Sequence, residues 1–277
     1  MIPIQSSIYA FRGFLLLLPL SCFMQASAAL VYSQNFNAAT PGTTGTGLGD
    51  GSNIIVTNTP GAASVQEWGS LKALQMTKEG IGGTGSNFFL PDLNPGGAVT
   101  SFSVSFDLLF QSTDTTYADG ISFNFGQLNS TTQTYGSEFG MYNTNFTGDV
   151  LSVGWVNYWA GSKRIDVFQN GATVSSNTTY PPFTTVQSSI PGPTVPVTVS
   201  WDKGSGLSLT YGGNNVFTNL ATPGFTPAAG YKFAFAARTG ADTQDTFIDN
   251  IQVNTVPEPA ATLLGALGFL GLLRRRR

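Results

Sequence analysis

Along the middle of the chain, apolar and polar residues alternate one by one in short runs. The clearest run is 101–110, where Phe102, Val104, Phe106 and Leu108 fall on one face and Ser101, Ser103, Ser105 and Asp107 on the other. A period of two marks a strand with one face toward a core and one toward solvent. Runs of the same kind occur at 121–125, 151–156, 165–168, 195–201, 207–211, 231–237 and 246–253. Gly-, Asn-, Asp- and Ser-rich stretches such as 202–206 and 212–215 separate them and suit hairpin turns. Nothing between the two ends sustains a helical period. Short strands at this spacing predict a β-sandwich or barrel. The Gly/Thr/Ser-rich stretch 38–51 reads as a long early loop. With no internal repeat and no second core, residues 29–254 are expected to form one all-β domain.

The two ends break the pattern. Residues 1–28 read as a secretory signal: Arg12 gives a positive start, 14–20 an apolar core, and Ala26-Ser27-Ala28 a small-residue cleavage site. That core is seven residues long and interrupted by Pro19, too short for the roughly 20 residues of a spanning helix. At the other end, Val256-Pro257-Glu258-Pro259 precedes a fourteen-residue apolar run, 260–273, and then Arg274, Arg275, Arg276 and Arg277. The prolines predict a break in the last strand and the start of an extended linker. The run predicts a short membrane helix, and the arginines favour the cytoplasmic side.

This tail, residues 255–277, resembles the PEP-CTERM sorting signal of Gram-negative, exopolysaccharide-producing bacteria in its box, helix and Arg cluster. The resemblance implies an exosortase as processing partner and membrane association through the C-terminal helix before processing. It further implies delivery to the cell envelope, outer surface or extracellular matrix.

Composition narrows the chemistry. The chain has no His, which removes the commonest general base and every Ser-His or Cys-His pair. Its single Cys22 lies in the signal, so the exported domain carries no thiol and no disulfide. Setting the terminal signals aside, seven Lys/Arg face fourteen Asp/Glu, so the domain stands near −7. A surface of that sign, without a basic stripe, repels phosphate backbones and excludes nucleic acid as a partner.

Tyr117-Ala118-Asp119-Gly120, continuing through Phe125, is similar to the Ala-Asp-Gly strand of concanavalin A-like, or L-type lectin-like, jelly rolls. The runs 197–201, 207–212, 233–240 and 246–251 follow that superfamily in order, so the resemblance covers roughly residues 85–253. It implies a sandwich of two antiparallel sheets and a binding site for a glycan or polysaccharide. Carried over residue by residue, Asp119 is the sugar-binding aspartate and Gly136 the loop glycine, with Asn143 and Asn145 flanking the expected asparagine. For calcium, the family's carboxylate two residues after Glu138 is replaced by Gly140, leaving Tyr142 and Asp149 as the matching positions. Calcium depends on negative oxygen ligands, so this departure predicts a weak site or none, and no other cofactor is implied.

Other constellations have plainer readings. Asp242, Asp245 and Asp249 suit a polar turn followed by a strand. Of the aromatic residues between 135 and 159, Trp155 alternates with Val153 and suits the core, whereas Tyr158 and Trp159 are expected to be exposed and able to stack on a sugar. Between the terminal signals the only glutamates are Glu67, Glu79 and Glu138, without the Glu-x-Asp-x-x-Glu spacing of jelly-roll glycoside hydrolases. The expected protein is therefore an exported, non-enzymatic, lectin-like surface or matrix protein. The alternatives are a structural or adhesive protein without a ligand and, behind it, a glycoside hydrolase.

Overall fold

The computed structural model describes residues 28–57, 63–68, 71–128, 149–158, 160–161, 163–182, 184–186 and 193–257. The expected signal and C-terminal helix fall on residues 1–27 and 260–273, which lie outside the described residues together with the Arg cluster, Gly136, Tyr142, Asn143, Asn145, Trp159, Glu258 and Pro259.

Sixteen strands form among the described residues, none of which is helical. The first eight are β1 (Ala29–Gln34), β2 (Asn53–Thr57), β3 (Ser64–Trp68), β4 (Leu71–Thr77), β5 (Thr84–Phe89), β6 (Val99–Ser112), β7 (Gly120–Gly126) and β8 (Val150–Val156). The others are β9 (Arg164–Gln169), β10 (Ala172–Asn177), β11 (Thr184–Val186), β12 (Val195–Asp202), β13 (Gly206–Tyr211), β14 (Asn214–Leu220), β15 (Lys232–Thr239) and β16 (Asp245–Pro257). One sheet runs β14-β13-β12-β6-β16-β4-β3, with β1 beside β16 and β11 beside β6. The other runs β10-β9-β8-β7-β15-β5-β2. The short β11 pairs parallel with β6; the sheets are otherwise antiparallel.

The alternation read in β6 places Phe102, Val104, Phe106, Leu108 and Phe110 inward, as the pleat requires. They meet Phe123 and Phe125 of β7, Val153 and Trp155 of β8, and Phe233 and Phe235 of β15. Phe102 stands edge-on to Phe125 at 5.0 Å and to Phe233 at 5.2 Å between centroids. Phe106 does the same with Phe235 at 4.8 Å and Trp155 at 5.6 Å. Edge-to-face ring pairs add about 0.5–1.5 kcal/mol each beyond the area they bury. The two sheets are joined through these rings.

The last strand departs from the sequence expectation. β16 does not stop before the Pro-Glu-Pro box but carries Val256 and Pro257 into the sheet, opposite Ser101 and Val99. The register shifts between Val256 and Pro257, and a bulge is where a sheet tolerates a residue without an N–H. On its other side β16 receives β1, with Ala29 opposite Thr255. Both ends of the domain thus lie on one strand.

Within β16, Asp249 lies directly opposite Asp107 of β6 and is buried. Asn250, at φ +51°, donates its N–H to Asp249 Oδ1 at 2.7 Å and its Nδ2 to Asp107 Oδ2 at 2.8 Å. Burial pushes the Asp249 carboxyl up from 3.8 to about 6; the Asn250 N–H works against the rise and Asp107 adds to it. Between those values the folded state holds a proton that the unfolded chain has released. Stability therefore falls as pH rises through that window and levels off above it. Asp249→Asn should raise the stability to urea by about 1–3 kcal/mol at pH 8 and leave it unchanged at pH 3.5. Equal stability of the two proteins at pH 8 would contradict this.

Candidate functional site

Asp119 ends the loop that leads into β7, and the neighbouring strands fix its backbone. Its N–H donates to the Arg238 carbonyl at 3.3 Å, and its carbonyl accepts the Asn157 N–H at 2.8 Å. The Ala118–Asp119 peptide is cis, and Gly120 follows at φ +144°, a region open to glycine and closed to residues with a Cβ. That accounts for the glycine of Ala-Asp-Gly. The Asp119 carboxylate is largely buried, with Oδ2 3.8 Å from Arg238 Nε. A Cβ on Gly240 would stand in a tight 3.3 Å contact with the same oxygen, so glycine at residue 240 suits the close approach of the β15–β16 loop to the carboxylate.

Several loops converge here. Gly83 donates its N–H to the Gly240 carbonyl at 2.8 Å, joining the β4–β5 loop to the β15–β16 loop. Buried Asn157, just past β8, donates Nδ2 to Gln244 Oε1 at 2.9 Å. Lys163 Nζ donates to the Tyr117 hydroxyl and sits 4.7 Å from the ring centroid, tying the β8–β9 loop to the segment before β7. These loops surround a cleft of about 500 Å³ lined by Asp119, Tyr158, Arg164, Arg238, Gly240 and Asp242, among others. Tyr158 is 39% exposed. Its ring lies against the turn at Gly161, where a Cβ would come within 3.1 Å of Cδ1. The cleft thus offers a hydrogen-bond acceptor at its base, an exposed ring at its rim and two guanidinium groups.

With that geometry in view, resemblance to known proteins becomes specific. Residues 255–277 match the PEP-CTERM protein-sorting motif. No curated protein is similar to the chain in sequence. Solved structures similar in fold include basic winged bean lectin with Tn-antigen, at 15% identity and TM-score 0.59, covering 82% of this chain and 99% of that one. Arcelin-5, a lectin-like defence protein from Phaseolus vulgaris, gives 15% identity and TM-score 0.58, covering 83% and 99%. The exoplasmic/lumenal domain of VIP36, bound to Ca²⁺ and Man3GlcNAc, gives 11% identity and TM-score 0.51, covering 73% and 85%. The domain has the concanavalin A-like jelly-roll fold, and its C-terminus carries a PEP-CTERM sorting motif.

On this jelly roll the residues singled out from sequence separate. Asp119 and Tyr158 share the cleft. Asp149 does not reach it: Gly120 pairs with Val156 and Gly126 with Val150, so Asp149 enters the β7–β8 pair at the far end. Across β7 that is roughly 20 Å from Asp119, and there Asp149 accepts a bond from Asn170 Nδ2 at 3.1 Å. Asp149 and Asp119 therefore do not fit a shared calcium ion. The three clustered aspartates also part: Asp242 lines the cleft, Asp245 accepts from Gln75 and the Glu79 N–H, and Asp249 faces Asp107. Among the described residues no group of three or more His, Cys, Asp or Glu is placed to hold a metal.

A second cleft, of about 510 Å³, contains Glu67, Glu79, Asp114 and Asp245 on the outer face of the larger sheet. Glu79 and Asp245 serve its own walls. Glu79 Oε1 accepts from Ser112 Oγ, both Thr113 donors and the Asp114 N–H, while Asp245 Oδ1 accepts from Gln75 Nε2 at 2.7 Å and the Glu79 N–H at 2.8 Å. Burial raises the Asp245 carboxyl above its ordinary value.

Sequence reading missed Arg164, Arg238 and Gly240, which reach the cleft through cross-strand register rather than through any local motif, and Asn157, which is buried behind it. Asn157 carries the clearest structural load. Asn157→Ala removes the donor to Gln244 in a buried setting, and should lower stability to urea by about 1–3 kcal/mol. It should also speed amide exchange in residues 240–244. Unchanged exchange there would show that the loop is held by other means.

Proposed function

We propose that the protein is an exported, non-enzymatic, lectin-like component of the cell envelope or extracellular matrix, and that the Asp119 cleft binds a glycan. The observation that carries this reading is the pairing of a buried carboxylate with an exposed tyrosine in one cleft at the loop end of a jelly roll. Sugars present hydroxyls on their edges and C–H groups on their faces. An ionised carboxylate accepts bonds from the hydroxyls, and a ring covers a face.

Exosortase processing of the sorting motif would precede or accompany delivery to the surface. Support for a non-enzymatic role comes from the absence of His and from the way Glu79 and Asp245 are engaged in loop contacts. The residues at Asp149 and Asp119 favour sugar binding that does not run through a shared calcium ion.

A polysaccharide array with the purified protein tests the proposal. Asp119→Asn should weaken binding by about tenfold to a hundredfold, as loss of a charged acceptor does, while the circular dichroism spectrum stays unchanged. Tyr158→Ala should weaken it by about tenfold. Added EDTA should change neither result. Binding unaffected by Asp119→Asn would place the glycan elsewhere, and release of reducing ends from a bound polysaccharide would make the protein an enzyme.

A further inference from the structure

The proposed glycan site has a charge pattern that the rest of the domain lacks. Arg164 of β9 pairs with Val156 of β8, Val156 with Gly120 of β7, and Gly120 with Arg238 of β15. These four residues form one row across the end of the sheet. Ile165 and Val167 point into the core from β9, and Phe235 and Ala237 do so from β15. The two arginines, at alternate positions, therefore stand on the opposite face. Three strand spacings put their Cα atoms roughly 14 Å apart, with side-chain-free Gly120 between them.

Each arginine stands beside a buried aspartate, but only Arg164 is hydrogen-bonded to its own through Nε. Arg164 Nε is 2.7 Å from Asp166 Oδ2, and Arg238 Nε is 3.8 Å from Asp119 Oδ2. The aspartate side chains are 2% and 8% exposed, those of the arginines 35% and 22%. Both arginines line the Asp119 cleft. With Lys163 beside them, three of the domain's seven basic residues gather around the cleft. They balance Asp119, Asp166 and Asp242 locally, on a domain that elsewhere carries a net negative charge.

We infer that the cleft selects a carboxylate-bearing sugar, a uronic-acid residue of an acidic polysaccharide, with Arg164 and Arg238 receiving the carboxylate and Asp119 the hydroxyls. This rests on the glycan-binding reading. A guanidinium presents donors in a fixed planar fork that matches a carboxylate, and at Arg164 the Nε bond to Asp166 orients that fork. A negative domain repels a polyanion everywhere except where its cations are gathered. The row across β9, β8, β7 and β15 is that place.

The test uses the full chain in detergent and two forms of one polymer: polygalacturonate, and the same polymer with its carboxylates reduced to alcohols. The intact polymer should bind at least tenfold tighter, and the preference should shrink as salt rises from 50 to 500 mM. Arg164→Gln alone would leave Asp166 buried without its partner. The double variant Arg164→Gln/Asp166→Asn removes both charges, and Arg238→Lys, which keeps a cation beside Asp119 but removes the planar fork, probes the other side. Loss of the preference in either variant, with binding to the reduced polymer kept, supports the inference. Equal binding of both polymers by the native chain overturns it and leaves the glycan site standing. A preference that survives both variants also overturns it. Failure to bind any neutral or acidic polysaccharide overturns the glycan reading and this inference together.

Discussion

Everything in this protein hangs on a layer of aromatic rings held between two sheets. Phe102 and Phe106 of β6 are inserted among Phe125, Phe233, Phe235 and Trp155 of the opposite sheet. A strand's side chains alternate strictly, so one slip in register would turn this layer out to solvent. The packing therefore fixes the strand order and, with it, which residues arrive together at the sheet's end. The long strands β6 and β16 pair from Gln111 with Asp245 to Val99 with Pro257 and form the spine of the larger sheet.

The register of the smaller sheet produces the cleft. β7 begins at Gly120, and that single glycine lets Asp119 turn into the space between the ends of β8 and β15. Asn157, Gln244 and Gly240 then draw the surrounding loops against it. Rigid strands hold the carboxylate, and loops supply the ring and cations around it. Such a division suits binding, because the acceptor is ordered before a ligand arrives. The outer face of the larger sheet has a cleft of similar size, but its Glu79 and Asp245 are engaged in holding its own loops.

How much of this could be read from the chain depended on whether the signal was local. Strands with one face in the core, such as β6, β12 and β13, announce themselves by alternation, and each predicted run coincides with a strand in its central part. β5, Thr84-Gly85-Ser86-Asn87-Phe88-Phe89, is buried on both faces and lacks that contrast. β10 and β14 are polar strands at sheet edges, with little apolar periodicity to read. Asp119 was legible because Ala-Asp-Gly is contiguous. Arg164 and Arg238 are 74 residues apart in the sequence and meet only through the pairing of four strands. Asp149, matched from sequence by counting along from Glu138, stands at the other end of β7 from Asp119. The sorting motif was readable for the opposite reason: all three of its parts are consecutive. Its first residues are nonetheless part of β16, so the address begins inside the fold.

The central claim is that ligand is taken at the loop end around Asp119. Hydrogen–deuterium exchange of the full chain, with and without the polysaccharide that binds best on an array, tests it directly. Protection should be confined to residues 117–120, 157–164 and 238–244. Protection on the outer face of the larger sheet instead, or none with any polysaccharide, would contradict the account.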